Sequence, residues 1–183
     1  MRAGLMALAA LALAACAALT TPALWHVAPS SLGPDRTMAQ QISIDAAGQH
    51  WTIDAATEID SNHLRVVLMA LGLRALSLDY DGDTLQAEKG SVPFKLPPEQ
   101  LINDLLLAYT PLDALRAALP SGWSVDAVGN TRTLLRNGQI VAVVTYLSGN
   151  PPAAQAPWAS RIKLEHRDAG YILTIDSAAT DSE

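Results

Sequence analysis

Apolar and polar side chains alternate with a period of two along most of this chain, and the alternation is broken once, by a helical stretch between Pro98 and Leu119. A period of two turns one face of each segment toward a core and the other toward solvent, the pattern of antiparallel strands, so one interruption dictates strands, then helix, then strands. Trp51, Ile53 and Ala55 stand against Thr52 and Asp54, and Leu76, Leu78 and Tyr80 against Ser77, Asp79 and Asp81. Later, Ile162 and Leu164 stand against Arg161, Lys163 and Glu165, and Tyr171, Leu173 and Ile175 against Thr174 and Asp176. The alternation is plain from Gln40 onward, and the chain reads as about ten strands, half before the interruption and half after. Two stretches, Leu64 to Leu71 and Ile140 to Leu147, are apolar at nearly every position and read as central strands covered on both sides. Asp81-Gly82 and Asn137-Gly138 supply the positive φ that a two-residue hairpin turn demands; Gly129-Asn130 and Ala169-Gly170 are weaker instances.

Within the interruption, Pro98 opens a helix that puts Leu101, Ile102, Leu105 and Leu106 on one face and Gln100, Asn103 and Asp104 on the other. Thr110-Pro111-Leu112-Asp113 then reads as an N-cap, a proline at the first helical position and an acid in the first turn. The second helix runs through Leu115 and Leu119 and stops at Pro120-Ser121-Gly122. Two amphipathic helices inserted in a meander lie across one face of the sheet. The fold class is therefore α+β: a curved antiparallel sheet of about ten strands with two short helices inserted mid-chain as a lid. The residues facing such a space are Trp51, Leu76, Leu78, Leu101, Leu105, Leu112, Leu115, Trp123, Tyr146, Ile162 and Leu164. Either a filled core or a ligand cavity satisfies that list.

The N-terminus carries its own signal. Arg2 is followed by an apolar run from Leu5 to Ala15, ending in Leu13-Ala14-Ala15-Cys16. A basic start, a short apolar core and small residues at the cut describe a secretory signal, and a cysteine at the cut makes it a lipobox. Cys16 is the chain's single cysteine and stands where a thioether to a diacylglyceryl group forms. The run is shorter than the roughly 20 residues a membrane-spanning helix needs. Two or three acyl chains anchor a protein stably. The expected organisation is a signal peptide at 1–15, a lipidated tether and lead-in at 16–38 in which Leu24 and Trp25 are candidate anchors, one β domain at 39–178, and a disordered tail at 179–183. Ala17 after the cysteine is not the aspartate that retains enteric lipoproteins at the inner membrane, so by that resemblance the destination is the periplasmic face of the outer membrane.

The net charge of −6 and the scattered Lys and Arg argue against nucleic acid. Asp79, Asp81 and Asp83 fall short of a calcium loop, because Thr84 and Gly90 stand where its Gly and Glu belong. His26, His50, His63 and His166 lack metal-ligand spacing and read as surface or strand-edge residues. No serine sits in a nucleophile elbow, and Glu99 and Asp113 are explained by helix-start charge. The expectation is a binding or interaction protein with no catalytic residues, cofactor or metal.

The strand-helix-helix-strand order behind a lipobox resembles the lipoprotein-localisation fold of LolA and LolB, a half-barrel closed by helices around a cavity for acyl chains. Pro22-Ala23-Leu24-Trp25, Leu96-Pro97-Pro98-Glu99-Gln100-Leu101, Leu112-Asp113-Ala114-Leu115-Arg116 and Gly170-Tyr171 are similar to an uncharacterised family of Gram-negative lipoproteins. That resemblance implies an outer-membrane lipoprotein that binds or transfers lipid or acyl chains, in contact with the membrane through Cys16 and with a periplasmic carrier protein. The competing expectation is an accessory lipoprotein that scaffolds an envelope complex or one for lipid or polyene synthesis.

Overall fold

A computed structural model describes residues 22–147 and 161–179. Cys16 and the tail beyond Ala179 lie outside the described residues. Ten strands form one open, unclosed antiparallel sheet: β1 Arg36–Ala46, β2 Gln49–Ile59, β3 Leu64–Ala70, β4 Leu73–Tyr80, β5 Leu85–Lys89, β6 Trp123–Val128, β7 Thr131–Arg136, β8 Gln139–Tyr146, β9 Arg161–His166 and β10 Tyr171–Ala179. Helices α1 (Pro98–Tyr109) and α2 (Leu112–Ala118) separate the two sets of five. The strand order is β5-β4-β3-β2-β1-β10-β9-β8-β7-β6, so the first and last strands meet at the centre, from Met38 opposite Ala179 to Ala46 opposite Tyr171. This is the ten-strand sheet with a mid-chain helix pair that the alternation implied, and the half-barrel that the resemblance implied.

Because every neighbour is antiparallel, the turns gather on two edges. The upper edge carries Ala47-Gly48, Leu71-Gly72, Asn137-Gly138 and the loop 167–170; the lower carries 60–63, 81–84 and Gly129-Asn130. At Asn137-Gly138 the φ values are 50° and 78°, as a two-residue turn with both residues left-handed requires. Asp81-Gly82 and Ala169-Gly170 belong instead to four-residue loops. In the first, the Asp81 carboxylate accepts the Asp83 and Thr84 backbone N–H groups at 2.9 and 2.7 Å, which favours a wider Asx-type loop over a tight turn. The stretch from Leu64 is not one covered strand: β3 ends at Ala70, and Leu71 and Gly72 form a turn at φ 54° and 73°. Nor are β3 and β8 covered on both faces, since Val67 and Val143 are only half-buried and Met69 and Leu147 are exposed.

The inner faces of the strands supply one continuous apolar core with α1 against it. Every residue of α1 from Leu101 to Tyr109 is buried, which corrects the expected solvent face: Asn103 and Asp104 point into protein and Gln100 is half-buried. A helix on a sheet ordinarily leaves one side wet. Here the lead-in covers that side. Trp25, Val27 and Leu32 are buried, and the segment passes from Tyr80 on β4 to Trp123 on β6, bridging the two flanks of the unclosed sheet across α1. Thr110 does not cap α2; its hydroxyl is buried without a hydrogen bond among the described residues, and Pro111 holds the N-cap position.

Candidate functional site

Ten of the eleven predicted cavity residues meet in the space between sheet and helices. Leu76 and Leu78 on β4, Tyr146 on β8, Ile162 and Leu164 on β9, Leu101 and Leu105 on α1 and Leu115 on α2 are buried in one cluster, with Leu112 and Trp123 at its border. Trp51 is not brought in; it stands at the upper rim of β2, 38% exposed. The space is filled, because Leu101, Ile102, Leu105 and Leu106 are at most 1% exposed, and a void that admits water would expose the side chains lining it. An open pocket of about 500 Å3 lies instead at the upper edge, between the β1–β2 turn and the loop 167–170, lined by Asp45, His50, Glu165, His166 and Tyr171 among others.

What the period-two pattern did not disclose is the polar frame that holds α1. Arg132 is wholly buried on the inner face of β7; its Nη1 donates to the Leu107 and Thr110 carbonyls at 2.9 and 2.6 Å, and the guanidinium lies 5.7 Å from the Tyr146 ring centre. Tyr146 donates its hydroxyl to the Ala108 carbonyl. These bonds satisfy the carbonyls that a helix C-terminus leaves unpaired. Burial pushes the Tyr146 hydroxyl up to about 12, so it remains a donor, and lowers the Arg132 pKa from its usual value. Beside it, Gln40 joins Ser177, Tyr109 and Thr57 through bonds of 2.8, 3.4 and 2.6 Å. The parity of Arg132 with the buried Leu134 was the available signal for its inward aim.

In the middle of α1, the Asp104 carboxylate accepts from the Tyr171 hydroxyl and, at 2.9 Å, from the Gln100 amide. Complete burial raises its pKa to about 7, with the two hydrogen bonds opposing. Tyr171 packs on His166 at 5.2 Å, and burial lowers the pKa of that imidazole, which lies at the end of β9 on its inner face and not on the surface. Asn103 reads the lead-in: its Oδ1 accepts the Trp25 N–H at 3.0 Å and its Nδ2 donates to the Ala23 carbonyl at 2.8 Å.

The second candidate surface is the upper edge itself. Leu71, at the tip of the β3–β4 turn, is 97% exposed, and Met69, Leu73, Trp51 and Ile140 are exposed near the same edge. The lower edge exposes Val128 and Leu147, but with Asp35, Asp60, Asp81 and Asp83 around it. Apolar tips project from the upper edge beside the carboxylates Asp45, Glu165 and Asp168, and Leu71 is the most exposed of them.

The chain is similar in structure to a LolA superfamily protein from Nitrosomonas europaea at 12% identity, with a TM-score of 0.44 over 82% of this chain and 88% of that one. It is also similar to a putative outer membrane lipoprotein-sorting protein domain from Vibrio parahaemolyticus, at 7% identity and a TM-score of 0.48 over 82% and 87%. A third likeness is to a DUF1329 family protein from Desulfovibrio piger, at 9% identity and a TM-score of 0.34 over 82% and 87%. No curated protein matches the chain. The model of one family, described as protein of unknown function DUF3261, matches residues 37–179, nearly the whole sheet and both helices, and the chain belongs to that family.

Proposed function

We propose that this protein is a lipid-anchored lipoprotein of the outer membrane, held by acyl chains on Cys16, that takes up lipid or acyl chains at the periplasmic face and does no covalent chemistry on them. The observation that supports this reading best is the exposed apolar upper edge, with Leu71 at its most prominent tip. A protruding leucine that meets only water is unfavourable, and insertion into the headgroup boundary of a bilayer removes it from water. The lead-in climbs toward the same edge, because Trp25 packs on Trp123, whose strand partner Arg136 adjoins the upper turn Asn137-Gly138. Cys16 precedes Pro22 by six residues, which span at most about 20 Å. The anchor and the apolar tips would therefore address one bilayer. No helix among the described residues is long and apolar enough to cross it.

In this reading an acyl chain would enter the space that α1 now occupies. The test is uptake of a fluorescent fatty acid by the mature protein in vesicles of phosphatidylethanolamine and phosphatidylglycerol, with vesicle flotation of Leu71→Asp alongside. Uptake, and loss of flotation in a variant freed of its lipid anchor, are the expected results; absence of uptake would remove the carrier reading. The filled interior favours a second reading, an accessory lipoprotein that presents its apolar edge to a partner in an envelope complex.

A further inference from the structure

The segment between Ala23 and Leu32 is attached to the domain through side chains and not through strand pairing. It adds no strand to the sheet. Between Ala23 and Val27 its backbone is held by side chains: Asn103 takes the Trp25 N–H and binds the Ala23 carbonyl, while the Tyr80 hydroxyl lies 2.8 Å from the Val27 N–H and 2.6 Å from the Trp25 carbonyl. Alternate residues Trp25 and Val27 point inward, and between them His26 points out, its Nδ1 3.0 Å from Asp83 with both groups exposed. Bonds of this kind break without unzipping a ladder, so the segment can leave as a unit while the sheet stays intact.

Its lower end is built as a pivot. Gly33 sits at φ 109°, a backbone conformation that residues other than glycine rarely adopt, and it makes the bend into β1. Its upper end, Ala23, stands seven residues from Cys16. Between pivot and anchor it lies over the outward side of α1, the side that carries Asn103.

We propose that Ala23–Leu32 is a clasp that keeps α1 in the concavity, and that its withdrawal toward the membrane, where Trp25 can settle at the bilayer interface, frees α1 and opens the interior to an acyl chain. Tryptophan suits both seats, because its ring prefers either a core or the membrane–water boundary. The inference rests on the acyl-binding reading above, extending it from what is bound to what controls access.

The experiment uses the mature lipidated protein in vesicles of phosphatidylethanolamine and phosphatidylglycerol, with two changes. His26→Cys with Asp83→Cys replaces the exposed ion pair by a disulfide that pins the clasp; Asn103→Ala loosens it. Hydrogen exchange of the α1 amides and uptake of a fluorescent fatty acid are read separately. Pinning is expected to slow α1 exchange by about tenfold and abolish uptake, both reversed by reductant, while Asn103→Ala speeds both. Unchanged α1 exchange on pinning would overturn the clasp, as would full uptake by the pinned protein, which would leave the carrier reading standing. Exchange that follows the clasp with no uptake in any variant would keep the clasp and remove the carrier.

Discussion

Tyr80 and Tyr146 hold equivalent places in two hairpins: each ends the second strand, and each donates its hydroxyl to a backbone carbonyl inside the half-barrel, Trp25 for the first and Ala108 for the second. The hairpins β3–β4 and β7–β8 also share a left-handed two-residue turn, a register shift at Leu68/Met69 and Leu134/Leu135, and one burial pattern along the second strand. Tyr80 pins the clasp and Tyr146 pins the helix. Tyr146→Phe keeps the ring and removes one buried donor, so it should lower stability in urea by about 1–3 kcal/mol with unchanged secondary structure by circular dichroism.

Asp104 makes α1 sensitive to pH. Its pKa is raised in the fold from 3.8 to about 7 by complete burial, so the folded state holds the proton more tightly than the unfolded chain. This group's favourable contribution is therefore fully present below about pH 4, declines through pH 4–7 and is gone above pH 7, a difference on the order of 4 kcal/mol. Asp60 and Asp81 are shifted the opposite way by their backbone hydrogen bonds, so only a comparison isolates Asp104. Asp104→Asn should gain in melting midpoint over the native protein as pH rises from 4 to 8; parallel curves would refute the assignment.

Leu71 is a non-glycine residue in left-handed backbone, which costs an L residue about 1–2 kcal/mol. Leu71→Asn, a residue that tolerates this conformation, should raise the melting midpoint while weakening vesicle flotation of the protein without its anchor. A change that stabilises the fold and impairs membrane contact would identify the tip as retained for contact.

Gly138 tests the turn on the other flank. Nothing lies within 4 Å of a Cβ added there, so any penalty comes from its φ of 78° alone. Gly138→Val should destabilise by about 1 kcal/mol or more, measured by thermal melting, since a β-branched residue resists that region.

Leu105 distinguishes a packed core from a loose lid. It is 1% exposed between α1 and the sheet, so Leu105→Ala should lower stability by about 2–5 kcal/mol in chemical denaturation. A much smaller loss, with weaker fatty-acid uptake, would mean that α1 spends much of its time outside the concavity.

The sheet was legible because most strands alternate between a buried and an outer face, although β5 buries neither. Ile53, Ala55, Leu76, Leu78, Ile162, Leu164, Tyr171, Leu173 and Ile175 all face inward as their alternation required. Pro98, and Pro120-Ser121-Gly122, bounded the helices for the same local reasons. Contacts far apart in sequence were not legible. Asn103 and Asp104 look like a solvent face until Trp25 and Tyr171, 78 and 67 residues distant in sequence from their respective partners, satisfy them. Leu71-Gly72 escaped because leucine is not a residue that announces a left-handed turn. Lipidation of Cys16 is an expectation from the sequence, and Cys16 stands outside the described residues.

Joining β1 to β10 at the centre has a kinetic price. Nine-tenths of the chain must be made before the middle pair can close, since Ala46 meets Tyr171 and Met38 meets Ala179. Pairing that spans such a sequence distance closes late and slowly. Until it closes, β1 and β2 form an unsupported flank with an exposed ladder edge, a surface that invites aggregation. A chain threaded N-terminus first through a membrane would thus emerge without a finished core. It would stay pliable until its last strand appeared, so truncation of β10 should leave neither half folded.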